Sequence, residues 1–244
     1  MKINVAFLPA DVNGRDLSDT VCVILDVFRA SSSIVTALSN GCEAILPVLT
    51  IEEGQRLARE QGPCLLAGER HSLKIEGFDL GNSPYDFAAE IVKGRRIIMT
   101  TTNGTVAIRS TKGAYRTYIG SFLNATAVCQ EILKWGKDVL FVCAGTERLF
   151  SLEDALCAGF MVEILQSQNP NASLTDAAYA AQLMYTQAKG ALVEVTRNSR
   201  NGNRLYELGK AEDVIYCLQA DLLDIVPVYS QGMITVNTNC CGGI

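Results

Sequence analysis

The chain holds 244 residues, 48% of them hydrophobic and 19% charged, with a formal net charge of −5. That apolar share excludes a disordered chain, and a chain of this length buries roughly 70–75% of its unfolded surface, so its core needs no staples. The acidic balance, with no basic run longer than two residues, argues against nucleic-acid binding, and no apolar run approaches the ~18 residues of a membrane span.

The N-terminal MKINV reads as a strand and lacks the apolar stretch of a signal peptide, which points to a cytoplasmic protein. Strand-like runs follow at Ile3–Leu8, Val21–Leu25, Ala44–Val48, Cys64–Ala67, Arg96–Thr100, Tyr115–Ile119, Val139–Cys143 and Ile225–Val228. Helix-period segments alternate with them near Ser32–Leu38, Ile51–Gln61, Pro84–Val92, Thr105–Ser110, Asn124–Trp135, Leu152–Gln166, Ser173–Gln187 and Ala211–Leu222. Ser83-Pro84 has the form of an N-cap with proline at the first helical position, and Ser173 to Asp176 resembles a capping box. The alternation predicts an α/β fold with helices on both faces of the sheet and ligands beyond the carboxyl ends of the strands. Gln166–Ala172 is the best internal boundary and Thr196–Asn203 a polar loop, yet no shift in composition divides residues 1–244, which are expected to form a single domain. One internal echo, Ile24–Gly41 against Cys143–Gly159 with Arg29 matching Arg148, fits two related halves or chance similarity.

Nine cysteines include no C-x-x-C pair, which removes zinc-ribbon and thioredoxin readings. Cys22, Cys143 and Cys217 sit in apolar runs as small buried hydrophobes do, and the vicinal Cys240-Cys241 reads as part of a frayed tail. The single histidine, His71, excludes a multi-histidine zinc site. Any catalysis therefore falls to carboxylates, hydroxyls, arginines and a hard cation.

Four segments place small polar residues where an apolar strand ends, a design that suits anions. In Asp26-Val-Phe-Arg29-Ala-Ser31-Ser32-Ser33 the carboxylate can hold a divalent cation, Arg29 offers a fork for phosphate or sulfonate, and the serines can line an oxyanion pocket; a salt bridge with a helix cap is the plain alternative. Glu69-Arg70 leads into a glycine-rich loop through Asn82-Ser83, with Glu69 as cation ligand or base and Arg70 as anion clamp, or with both as a surface ion pair. His71 is a proton carrier or a bystander. Thr101-Thr102-Asn103-Gly104-Thr105 forms a phosphate cradle or a helix cap. Gly145 opens the turn before Glu153-Asp154, which bind metal or occupy a first helical turn that favours acids anyway. The Cys64–Arg70 stretch fits C-x5-R, but a cysteine in an apolar run has its thiol pKa raised, against a nucleophilic role.

These segments together resemble the 2-phosphosulfolactate phosphatase family of coenzyme M biosynthesis. The resemblance is carried in order by DVFRASSSIVTALSNG, AGER, GFDLGNSP, TTTNGT and CAGT with LEDALCAG, and in the tail by SRNGNRLYELG, DV and VPVY. It implies a three-layer α/β/α sandwich with a mixed sheet and an Mg²⁺-dependent acid phosphatase that releases 3-sulfolactate and phosphate. It also implies a small anionic phosphorylated substrate and leaves a homo-oligomer open. Mg²⁺ would be held by carboxylates drawn from Asp26, Glu69 and Asp154, with Arg29 and Arg70 on the phosphoryl oxygens or the sulfonate. The attacking group is a water or Asp26 itself. Asn201 stands where many relatives would carry histidine. The alternatives are a phosphatase for another phosphorylated 2-hydroxy acid and a non-catalytic anion-binding module.

Overall fold

The computed structural model describes residues 1–236; Cys240-Cys241 lie outside them. Eleven strands form one mixed sheet: β1 (Lys2–Ala6), β2 (Thr20–Leu25), β3 (Ala44–Pro47), β4 (Leu65–Arg70), β5 (Leu73–Lys74), β6 (Arg96–Thr100), β7 (Arg116–Gly120), β8 (Asp138–Cys143), β9 (Ser173–Leu174), β10 (Pro227–Ser230) and β11 (Met233–Val236). The helices are α1 (Ala30–Ser39), α2 (Ile51–Gln61), α3 (Ala89–Val92), α4 (Gly104–Ser110), α5 (Ala125–Leu133), α6 (Leu152–Gln168), α7 (Asp176–Ala188), α8 (Leu192–Arg197), α9 (Arg200–Glu207) and α10 (Ala211–Cys217). This is the α/β fold that the strand–helix alternation predicts and the mixed-sheet sandwich that the family resemblance implies.

The strand order is β5-β4-β6-β3-β11-β10-β7-β2-β8-β1-β9. β7, β2, β8, β1 and β9 are parallel, as are β3, β6 and β4. The β10–β11 hairpin lies between these blocks and is antiparallel to both, so the blocks run in opposite directions along the sheet. Buried strands alternate their apolar side chains between two helical layers. Val21, Val23, Leu25 and Phe141 face a core closed by Cys157, Met161 and Ala181 of α6 and α7. Cys22, Ile24 and Val142 face Ile34 and Val35 of α1 and Ile108 of α4, and this second core also takes in Ile45, Ile97 and Met99 from the other block. On that block's outer face Leu46, Val48 and Ile98 pack under Leu57 and Ala58 of α2.

The shared core means that the sheet curls around α1, whose residues 30–38 are all buried. β6 and β2 are five places apart in the strand order, about 24 Å along a flat sheet. Yet a Cβ built on Gly104, just beyond β6, would stand 2.8 Å from Asp26 Oδ2, just beyond β2. Only a residue without a side chain allows this approach, and it brings the carboxyl ends of the two blocks to one place.

Several elements differ from the sequence expectation. The segment Pro84–Val92 is a 3-10 turn, Pro84–Phe87, followed by the short α3, because Asp86 accepts from the Gly81 and Ser83 amides and tightens the start. The second capping site is Thr175, which accepts from the Ala178 amide, while Ser173-Leu174 pair with β1 as β9. The expected polar loop 196–203 is helical instead: Ser199 Oγ accepts from the Gly202 amide and starts α9. The final strand is set at Pro227–Ser230 and gains β11 as its hairpin partner.

Candidate active site

Beyond β2 the chain turns sharply, and its own polar groups fix that turn. The Asp26 amide donates to Ser31 Oγ at 3.1 Å, the Ser31 amide donates to Asp26 O at 2.9 Å, and Ser32 Oγ donates to Val27 O at 2.9 Å. Ser31 and Ser32 therefore brace the turn and do not line the cleft. The Phe28–Arg29 peptide bond is cis. Asp26 Oδ1 receives only a long bond from the Ala30 amide, 3.3 Å, and its Oδ2 faces the Gly104 turn. Burial and the neighbouring Glu69 push the Asp26 carboxyl up to about 7, with Glu153 adding to the rise while the Ala30 amide and Arg29 oppose it.

β4 delivers Glu69 to the same cleft. Glu69 Oε1 accepts from the Thr102 amide and the Thr102 hydroxyl, both at 2.9 Å, and Oε2 accepts from the Ser72 amide at 2.8 Å. Arg70 does not join it. Consecutive strand residues point to opposite faces, and the two Nη groups of Arg70 donate to Glu69 O and Thr100 Oγ1 outside the cleft. The β4–β5 connection is a two-residue turn, His71-Ser72, with both residues at positive φ, 53° and 63°. After β6, Thr101 Oγ1 accepts from the Thr105 amide and Thr105 Oγ1 donates to Thr101 O, so this pair caps α4. Asn103 Oδ1 accepts from the Glu147 amide at 3.2 Å.

β8 ends beside β2, and Asp154 at the start of α6 ties the two ends together. Its Oδ1 accepts from the Val27 amide at 2.8 Å and its Oδ2 from the Gly145 amide at 3.1 Å. Burial, Asp26 and Glu153 raise its pKa well above the carboxylate norm, and the two amides pull it back. Neither Asp154 nor Gly145 lines the cleft. Glu153 is buried in a separate recess with Ser199 and Asn201, and burial raises its pKa as well.

The C-terminal helices close the site with Asn201 and with two residues that no strand-end motif singles out, Arg204 and Asp213. Arg29 Nη1 donates to Asp213 Oδ2 of α10 at 2.6 Å, with both side chains buried, and Nη2 donates to Ser72 O at 2.8 Å. Ser83 Oγ donates to the other Asp213 oxygen at 2.7 Å, so Ser83 supports Arg29 and is not itself in the cleft. Asn201 Nδ2 donates to Phe28 O at 2.5 Å. Arg204 of α9 donates through Nη2 to His71 O at 2.6 Å, while its Nε is buried without a partner.

These elements line one cleft beyond the carboxyl ends of β2, β4 and β6. Of the residues expected from sequence, Asp26, Arg29, Glu69, Asn82, Thr101, Thr102 and Asn103 line it. His71, Ser72, Thr146, Glu147, Asn201 and Arg204 line it too, and of these only His71 and Asn201 stand out in the sequence. His71 Nδ1 stands 3.9 Å from Glu147 Oε1 across the rim. Cys64 sits just before β4 with its pKa raised by burial and by Asp79, and among the described residues no cysteine lines the cleft.

This cleft carries in space the segments by which the chain resembles a phosphatase family, and comparison with known proteins agrees. The sequence profile of the 2-phosphosulpholactate phosphatase family matches residues 6–232. The chain belongs to the 2-phosphosulpholactate phosphatase family. It is 39% identical over 235 residues to a protein of Clostridium acetobutylicum, covering 96% of this chain and 100% of that one. It is 42% identical over 225 residues to a protein of Caldanaerobacter subterraneus subsp. tengcongensis, covering 91% of this chain and 93% of that one. A protein of Symbiobacterium thermophilum is 40% identical over 224 residues, covering 91% and 96%. Each carries the name probable 2-phosphosulfolactate phosphatase.

A hard cation takes oxygen ligands, and the family cleft offers two that lack internal donors: Asp26 Oδ2, and Asn82 Oδ1, which is buried and unpartnered. Glu69 supplies further lone pairs beside them. Asp154 fits poorly, because it lies outside the cleft, tied to the Val27 and Gly145 amides. Among the described residues no three His, Cys, Asp or Glu side chains are grouped around one ion position, so a cation here would draw on Asn82 and the ligand. Among the described residues no helix is long and apolar enough to cross a membrane.

Proposed function

We propose that this protein hydrolyses 2-phospho-3-sulfolactate to 3-sulfolactate and phosphate, and that Mg²⁺ is required. The observation that supports this most is the charge of the cleft. Asp26, Glu69 and Glu147 face Arg29 and Arg204, and Arg29 is already neutralised by Asp213. A phosphorylated polyanion entering such a cleft needs a cation between its oxygens and the carboxylates. Asp26, Glu69 and Asn82 would hold it. Bound there, Mg²⁺ supplies Lewis-acid neutralisation of phosphoryl charge.

The chain's own residues then do the positioning that phosphoryl transfer depends on. Arg29 is fixed by Asp213 and Ser72 O, so its orientation is set before the substrate arrives. Glu69 holds Thr102 and Ser72 at fixed distances on either side. Of the two Asp26 oxygens, the one not on the cation would act on the phosphorus side, either accepting a proton from water or forming an aspartyl phosphate. A phosphate made chiral with oxygen isotopes is released with inverted configuration after one in-line displacement in the first case, and with retained configuration after two in the second.

The test is phosphate release from 2-phospho-3-sulfolactate. Release that needs Mg²⁺, stops with EDTA and returns on adding the metal is the expected result. No release with metal present overturns the reading in favour of another phosphorylated acid or an anion-binding role.

A further inference from the structure

We infer that Arg204 is the specificity residue of the cleft, gripping the anionic group of the substrate that is not the phosphate. The inference rests on the functional reading above and assigns a role that neither the family match nor the sequence motifs gives to this residue.

Two guanidinium groups line the cleft, and they differ in one respect. Arg29 is charge-compensated: Asp213 Oδ2 lies 2.6 Å from its Nη1, and both side chains are buried. Arg204 pairs with no carboxylate among the described residues. Its single internal bond runs from Nη2 to a neutral acceptor, His71 O, and its Nε–H is buried without any acceptor. A buried charged donor left unpaired is costly, and such groups in a cleft are explained by what the cleft is built to receive. A planar fork with one edge open suits a carboxylate or a sulfonate.

The two groups are also set by one device. Arg29 Nη2 bonds Ser72 O and Arg204 Nη2 bonds His71 O, so consecutive carbonyls of a single two-residue turn hold both arginines. The Ser72 amide is in turn fixed by Glu69 Oε2 at 2.8 Å. This turn keeps His71 and Ser72 at positive φ, 53° and 63°, a conformation that disfavours both side chains and that persists where surrounding structure over-determines it. The turn thus spaces a compensated guanidinium, suited to the reacting phosphoryl group, from an uncompensated one. The substrate's surplus negative charge goes to the second.

The experiment compares wild type, Arg204→Gln and Arg204→Lys. It reads kcat/KM on 2-phospho-3-sulfolactate and on 2-phospholactate, which keeps the carboxylate and lacks the sulfonate. It also reads Ki for inorganic phosphate as a product inhibitor, with melting temperatures to check folding. Arg204→Gln is expected to lower kcat/KM on the sulfonated substrate by about tenfold or more while phosphate Ki stays within about twofold, with Arg204→Lys between. A smaller loss on 2-phospholactate assigns the sulfonate, and an equal loss assigns the carboxylate; both uphold the inference. Unchanged kcat/KM overturns it, and so does a phosphate Ki that rises in step, which would place Arg204 on the phosphoryl group or in the fold. A wild-type protein that releases no phosphate removes the functional reading and this assignment together, whereas an active wild type with an unaltered Arg204→Gln removes the assignment alone.

Discussion

β2 and β8 lie side by side in parallel register, with Leu25 opposite Cys143, and each ends in a turn that leads to a helix. Each turn, taken with the start of its helix, carries an aspartate and an arginine, yet the pairs are placed differently. After β2, Asp26 keeps one oxygen without an internal donor and Arg29 is buried at the cleft. After β8, Asp154 has both oxygens held by backbone amides, and Arg148 points to solvent. The same residue types at equivalent strand ends are therefore left open to the cleft or tied into the fold according to how many donors the local backbone has already aimed at them. Part of the internal echo in the sequence is this strand pairing, but its two arginines are not counterparts.

The strongest way to break the comparison is to remove each aspartate. Asp26→Asn is expected to lower turnover by about a thousandfold or more, with a melting temperature equal to or above wild type, because a buried carboxylate disfavoured by Glu69 is removed. Asp154→Ala is expected to act first on stability. It leaves the Val27 and Gly145 amides unpaired, which costs about 2–5 kcal/mol in denaturant unfolding. Turnover lost equally in both variants, with both still stable, would show that the two ends share one chemical role.

A next largest effect is expected where the β2 turn depends on a distant helix. Asp213→Asn should reduce kcat/KM by roughly tenfold to a hundredfold, because Arg29 loses the partner that orients it. Arg29→Lys should do likewise, since an ammonium group cannot reach Asp213 and Ser72 O together in the fork geometry. Wild-type kinetics in either variant would reduce Arg29 to a structural ion pair.

What the sequence made legible follows from the same contrast. Asp26, Glu69 and the Thr101–Asn103 turn are readable because each closes an apolar strand, a local pattern. Arg70 follows Glu69 directly, and strand alternation admits only one of two adjacent residues to the cleft, so the motif alone does not separate them. Arg204 and Asp213 are not readable locally. Asp213 lies in the first turn of α10, where an acid needs no special reason, and Arg204 lies in a stretch whose Asn and Gly content predicts a loop. Their roles depend on the curl of the sheet, which sets α9 and α10 against a turn more than a hundred residues earlier.

The pH dependence sharpens the same point. In metal-free protein the Asp26 carboxyl stands at about 7 against an ordinary 3.8. The folded chain then holds a proton that the unfolded chain has released, so this contribution to stability is fully present below about pH 4 and is lost as pH rises towards 7. Melting temperature measured without metal should fall across that window, and Asp26→Asn should flatten the slope. A slope unchanged by that substitution would move the effect to Asp154 or Glu153.

The smallest expected effect lies in the backbone of the two turns. Between Asp26 and Ser31 no residue has positive φ, whereas after β8 Gly145, Glu147 and Arg148 all do, at 68°, 54° and 63°. Gly145 has reason to be glycine, since a Cβ there would meet Leu149 O at 2.6 Å. Arg148 is exposed and lies outside the cleft. Arg148→Gly should relieve left-handed strain while loosening the unfolded chain, for a net gain of about a few tenths of a kcal/mol and no change in kcat/KM. A fall in activity instead would mean that the side chain at 148 reaches the substrate after all, and that the turn after β8 serves chemistry as the turn after β2 does.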